Sequence, residues 1–140
     1  MSVEKNKLIV REYIEKIINT GSTELIGNYV SSDYAEIFDS QRYELGIAGA
    51  GEHVKGVRKT YKDLHLTVEL QIGEGDFVAT CIKAEGVHSG EWMGIKPTGK
   101  HVSFTGVNID KVINGKIIEH SGAANLFHPL LKIGAITIGE

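Results

Sequence analysis

The chain is poor in the residues that staple or break structure: its 140 residues include one Cys and two Pro. A single thiol cannot close an internal disulfide, so a reducing cytoplasm is the expected compartment. A surplus of positive charge is missing as well. Lys and Arg number 15 against 18 Asp and Glu, a net charge of −3, which is a poor match to a nucleic-acid backbone. No apolar run approaches the roughly 20 residues of a membrane-spanning helix. The first residues are charged where a secretory leader would carry an apolar block. These gaps leave the expectation of a single domain over residues 1–140, 41% hydrophobic and long enough to bury a core without disulfides or structural metal. Glycine is what the chain has in excess: 17 of 140, about 12% against the usual ~7%. The glycines stand singly between apolar stretches, the pattern of turns and bulges.

Two hydrophobic periods divide the chain. Val10, Tyr13, Ile14 and Ile17 recur at helical spacing and predict a helix over 3–19, capped by Ser2 and closed by Gly21. A short helix follows over 23–30, then a first strand over 33–38, a glycine-rich loop over 40–51 and a helix over 52–62. The period then becomes two. Leu64, Leu66, Val68, Leu70 and Ile72 alternate with polar residues and predict a strand with one buried face. Strands over 77–88, 100–113 and 116–120 follow, with a turn at 96–99 and a hairpin at Asn114-Gly115. Residues 125–133 read as a terminal helix. Helices first and antiparallel strands after them predict an α+β fold, helices packed on one face of a curved sheet.

Most motif matches dissolve on inspection. Gly94 to Lys100 fits GxxxxGK, yet His101 stands where a P-loop needs Ser or Thr, and a strand follows instead of a helix. Gly49-Ala50-Gly51 lacks the third glycine of a dinucleotide fingerprint. The six His, at 53, 65, 88, 101, 120 and 128, show no metal-ligand spacing. His65 lies on the wetter side of its strand, either a surface residue or a general base in a pocket. Cys81, mid-strand, reads as a buried and inert thiol. Phe104, Gly106, Asn108 and Asp110 share one side of their strand. Asn108 is the better pocket residue, with Phe104 beside it, and Asp110, near a hairpin, the better solvent residue. Asn125 reads first as a helix cap.

A resemblance adds to this. The stretches Gly75-Asp76-Phe77-Val78-Ala79, Gly90 through Lys100 with Trp92 and Met93 inside it, and Asn114-Gly115-Lys116-Ile117-Ile118-Glu119-His120, followed by a leucine-rich helix ending at Gly134, resemble the SnoaL-like polyketide cyclase family. Asp33-Tyr34 and Asp63 through Val68 fit it in the first half. The resemblance implies an NTF2-like cone: a curved, mostly antiparallel sheet wrapped by helices, with a deep pocket and, as a rule, a homo-oligomer (dimer or tetramer) formed through the outer sheet face. It also implies ring closure in an aromatic polyketide by intramolecular aldol condensation, without metal, cofactor or covalent intermediate. The acid/base group is an Asp near the start of the last helix.

The chain departs from that pattern at the chemistry. Aligned through Glu119-His120 and the terminal helix, the Asp position is Asn125, an aromatic position is Ser121, an Arg position is Cys81 and a His position falls near Ile37. An amide cannot act as a carboxylate base. Three readings stay open. In the first, a cyclase uses a relocated base, His65, His88 or His120, with Asn125 and Asn108 donating to an enolate oxygen. In the second, the cone holds a small apolar or aromatic molecule without turnover, with Asn108, Cys81, Trp92 and Phe104 in its wall. In the third, an isomerase or epoxide hydrolase draws carboxylates from Glu36, Asp39, Glu69 or Glu85, each more simply read as exposed.

Overall fold

The computed structural model describes residues 2–139. Ser2 opens the first helix as expected, its hydroxyl accepting from the Lys5 N–H at 3.1 Å. Helix α1 (Val3–Tyr13) runs on through a π-helical turn, Ile14–Ile18, and Gly21 closes it at φ +78°. Val10, Ile14 and Ile17 form its buried stripe, each at most 2% exposed. The helix end is tied to the sheet by one side chain. The Asn19 carboxamide donates to the Leu66 carbonyl at 2.9 Å and accepts from the Leu66 N–H at 2.8 Å, completing an edge that no strand covers.

A 3₁₀ turn (Thr23–Asn28) leads into β1 (Val30–Phe38), β2 (Gln41–Glu44), α2 (Gly46–Thr60), β3 (Tyr61–Glu74), β4 (Phe77–His88), β5 (His101–Ile113), β6 (Lys116–Asn125) and α3 (Phe127–Lys132). The strands form one sheet in the order β2-β1-β6-β5-β4-β3, antiparallel except for the β1–β6 pair. This is the expected α+β architecture: helices on the inner face of a curled, mostly antiparallel sheet, the cone that the resemblance implies. None of the described helices is long and apolar enough to cross a membrane.

The structure departs from the expected elements in four places. The stretch expected as a loop contains β2, an exposed edge strand reached through a tight turn at Asp39 and Ser40, both at positive φ. It also contains the first turns of α2, where three glycines lower helix propensity but Ala50 is buried and Gly51 packs closely against Thr23 and Ile26 of the 3₁₀ turn. Strand β3 carries a bulge between Val68 and Leu70. The extra residue re-phases the strand, so Leu64 and Leu66 are buried while Leu70 and Ile72 are 52% and 62% exposed on the outer face. The inner face there is taken by Gln71, whose amide donates to the Lys7 carbonyl at 3.0 Å and the Thr80 hydroxyl at 3.3 Å. Finally, β6 extends five residues past His120. The Asn114-Gly115 hairpin has the expected positive φ at both positions, and Gly94–Lys100 lies in the β4–β5 connection with a strand behind it.

Asn19→Ala removes both bonds to Leu66 and leaves a part-buried N–H and C=O unpaired. A loss of about 1–3 kcal/mol is expected, read as a lower urea midpoint with an unchanged m-value.

Candidate active site

The inner face of the sheet and the helices across it enclose a cavity of about 610 Å³. Its wall is largely apolar and aromatic, with Tyr13, Tyr34, Tyr61, Trp92 and Phe104 contributing. Tyr61 and Phe104 pack ring to ring, 5.3 Å between centroids.

Strand register sets the polar groups. Glu36 on β1, His120 on β6 and Asp110 on β5 are direct neighbours across three strands, and all three side chains point inward. The His120 Nδ1 lies 2.7 Å from Asp110 Oδ1. From the opposite wall α2 brings His53, whose Nδ1 meets Glu36 Oε2; the Tyr34 hydroxyl donates to the same oxygen at 2.9 Å. The two imidazoles stand edge to face with centroids 6.5 Å apart. Each ring spends Nδ1 on a carboxylate, which leaves Nε2 for an occupant of the cavity. The carboxylates themselves are shielded: the Asp110 side chain is 6% exposed and that of Glu36 19%.

Burial and pairing pull the titrations in opposite directions, and pairing wins at both carboxylate–imidazole contacts. Burial pushes Glu36 up, but the hydrogen bond and charge of His53, the Tyr34 hydroxyl and the charge of His120 outweigh it and hold the carboxyl below its ordinary 4.5. Burial pushes His120 down, but the charge and hydrogen bond of Asp110, with the charge of Glu36, hold the imidazole above its ordinary 6.5. Burial, with Glu36 beside it, keeps the Tyr34 phenol protonated far into alkaline solution.

The sequence-derived candidates separate into two groups. His120, Asn108, Phe104 and Trp92 line the cavity. Asn125, Cys81 and His65 do not. Asn125 is opposite Thr105, and Cys81 opposite Val107, on the outward phase of the sheet. Both line a shallow outer depression of about 450 Å³ together with Glu69. Asn125 does not cap a helix; it ends β6, and the cap position of α3 is Leu126. Because β6 stays extended, its inward residues are His120, Gly122 and Ala124, and counting to 125 lands on the other face. Cys81 is half-buried rather than a core thiol. His65 is exposed, paired across strands with Glu85. His88 is buried, its Nδ1 held by Thr98, and serves the core.

Three residues of the site were misread or passed over. Asp110, expected in solvent, is 4% exposed, and Glu36, expected at the surface, lies in the cavity wall. Asp110 shares the inward phase of Asn108, a signal stronger than its closeness to a hairpin. His53 enters the sequence reading only as one of six His without metal-ligand spacing, yet it sits at helical spacing beside Ala50, Val54 and Val57 on the apolar side of α2. Among the described residues no three His, Cys, Asp or Glu converge as a metal-holding group.

Comparison with known proteins agrees with this architecture. The model of the family SnoaL-like polyketide cyclase matches residues 7–132. Nogalonic acid methyl ester cyclase of Streptomyces nogalater is 28% identical over 118 residues, covering 83% of this chain and 88% of the relative. Aklanonic acid methyl ester cyclase AcmA of Streptomyces galilaeus is 30% identical over 113 residues, 79% of this chain and 78% of the relative. Among solved structures, AclR of Streptomyces galilaeus, a candidate hydroxylase, superposes with a TM-score of 0.80 at 26% identity, over 97% of this chain and all of AclR.

The two pairs give opposite pH limbs. The raised His120 stabilises the fold fully below pH 6.5, and this is lost as pH rises through its folded value. The lowered Glu36 stabilises fully above pH 4.5, and this is lost as pH falls through its folded value. In calorimetry from pH 3 to about 9, Asp110→Asn is expected to flatten the alkaline decline of Tm, and Glu36→Gln the acid decline.

Proposed function

Because the chain belongs to the SnoaL-like polyketide cyclase family, we propose that it closes a ring in an aromatic β-keto ester through an enolate, with His53 as the base. The observation that carries this reading is the convergence of two carboxylate-anchored imidazoles in one apolar cavity. Nothing in the reading depends on Asn125.

The chemistry follows from the placement. Glu36, itself braced by Tyr34, holds the His53 ring by Nδ1, so that Nε2 is the atom that takes a proton from the carbon between two carbonyls. Charge then develops on the enolate oxygen. His120, whose protonated form Asp110 favours, and the Asn108 carboxamide are the donors available to it in a wall where such donors count for more than in water. The enolate carbon attacks a second carbonyl of the same molecule, one C–C bond forms, and the resulting alkoxide takes up a proton. The proton removed balances the proton gained, so the step is an isomerisation and needs no oxidant or acyl acceptor. Holding both carbonyls in one cavity supplies the proximity. The homo-oligomer that the resemblance implies has no role in this scheme.

The test follows α-proton exchange in D₂O and ring closure by NMR on nogalonic acid methyl ester and simpler aryl β-keto methyl esters. His53→Ala is expected to lower kcat by about 10²–10⁴-fold, with Glu36→Gln following it. Asn125→Ala and His65→Ala are expected to stay within about threefold, since both residues lie outside the cavity. Full activity in His53→Ala overturns the assignment of the base. Wild-type protein that binds these esters but exchanges no proton turns the reading into ligand binding without turnover.

A further inference from the structure

One row of the inner sheet face lies next to the Glu36–His120–Asp110 row and has a different character. It runs Gly122 on β6, Asn108 on β5, Thr80 on β4 and Gln71 on β3. Thr80 is fully buried and hydrogen-bonded to Gln71, which is in turn tied to α1. Asn108 is different: its carboxamide lines the cavity and has no hydrogen-bond partner among the described residues. A polar group left unpaired in an apolar wall marks a place where an occupant supplies the missing bond.

The geometry on its β6 side shows what keeps it there. A Cβ at position 122 would stand 2.6 Å from Asn108 Oδ1, 3.0 Å from the Val107 carbonyl oxygen and 3.4 Å from the Asn108 Cα. The carboxamide oxygen therefore occupies the space that any side chain at 122 would claim. Gly122 is not among the glycines at positive φ, so its backbone conformation does not demand glycine. The closest contact is to the far end of a flexible side chain, which moves at little cost, whereas the carbonyl contact asks for a few tenths of an ångström.

We infer that Gly122 is a positioning residue: its missing side chain lets the Asn108 oxygen lie against β6, which leaves the Asn108 amide group beside His120 as a two-donor cradle for an enolate or phenolate oxygen. This rests on the function proposed above for the enolate, but the orientation of Asn108 is a property of the protein alone. Alanine at 122 leaves the fold standing and turns the carboxamide away from the cradle.

Two measurements test this, one with and one without a ligand. In ¹H–¹⁵N spectra the Asn108 side-chain amide pair is identified by its disappearance in Asn108→Ala. In Gly122→Ala the pair is expected to shift while most backbone resonances stay; an unmoved pair overturns the inference. The second measurement uses 4-nitrophenol, whose phenolate absorbs visible light. Asn108→Ala and Gly122→Ala are each expected to weaken its binding about tenfold, the worth of one hydrogen bond of ~1.4 kcal/mol. The double variant is expected to be no weaker than Asn108→Ala alone, since a methyl at 122 then has nothing to displace. An equal loss from Gly122→Ala in both backgrounds overturns the inference, because the effect would then run through the Val107 backbone. If Gly122→Ala does not fold, the double variant is expected to restore folding; its failure to do so has the same meaning. If Asn108→Ala leaves nitrophenol binding unchanged, the oxyanion role in the proposed function falls, and the amide spectra still decide the role of Gly122.

Discussion

A carboxylate can stay ionised inside an apolar wall only if a donor or a cation stands against it. This chain meets that condition twice within a few ångströms, and much of the architecture around the cavity answers to it. Glu36 needs His53, so α2 must cross the open side of the sheet at one height. Asp110 needs His120, so β5 and β6 must hold a register in which these two are opposite. Tyr34 must lie two residues before Glu36 on the same face, with its phenol kept protonated by burial so that its O–H is there to donate to the carboxylate. If either imidazole moves away, the carboxylate loses what offsets its desolvation. The site is therefore also a set of constraints on the fold.

Register connects the two roles. Strand neighbours on one face repeat at two-residue intervals. Three adjacent strands can therefore present one row of titratable groups and, two residues along, a row of amides and glycine. In the proposed reaction the first row orients the base His53 through Glu36 and offers His120 to the enolate oxygen, and the second row adds the Asn108 amide. Apolar and aromatic residues fill the rest of the wall and exclude competing water.

The architecture was legible in the sequence because it rests on periods. Val10, Ile14 and Ile17 mark a helix, and the alternation after Leu64 marks a sheet, whatever the residues do chemically. The site was only half legible because it rests on phase. The side of the strand they share points Asn108 and Phe104 inward, whereas His120 enters only through the motif that carries the resemblance. Asn125 was placed by counting along a motif, and five residues of continued strand turned it to the outer face. Cys81 failed in the same way: nothing in an alternating apolar stretch says which face is inside. Asp110 was read from its nearness to a turn, while the phase it shares with Asn108 pointed inward. Glu36 and His53 are far apart in sequence and meet only across the cavity, so neither carries a local signature. The loop expected over 40–51 became strand and helix because burial of Ala50 and Gly51 overrides weak propensity.

The bulge in β3 has a consequence for how this chain can change in length. Before the extra residue Leu64 and Leu66 face the core; after it Leu70 and Ile72 face outward and Gln71 faces in. A residue gained or lost in the exposed β1–β2 turn alters only a hairpin tip. A residue lost between Val68 and Leu70 would exchange the two faces of everything up to the β3–β4 turn. Two large apolar side chains would be driven toward α1, and the amide that ties α1 to Thr80 would be turned out to water. Insertions and deletions in this lineage should therefore collect in the connections, while the number of residues between Leu66 and Gly73 stays fixed even where their identities drift.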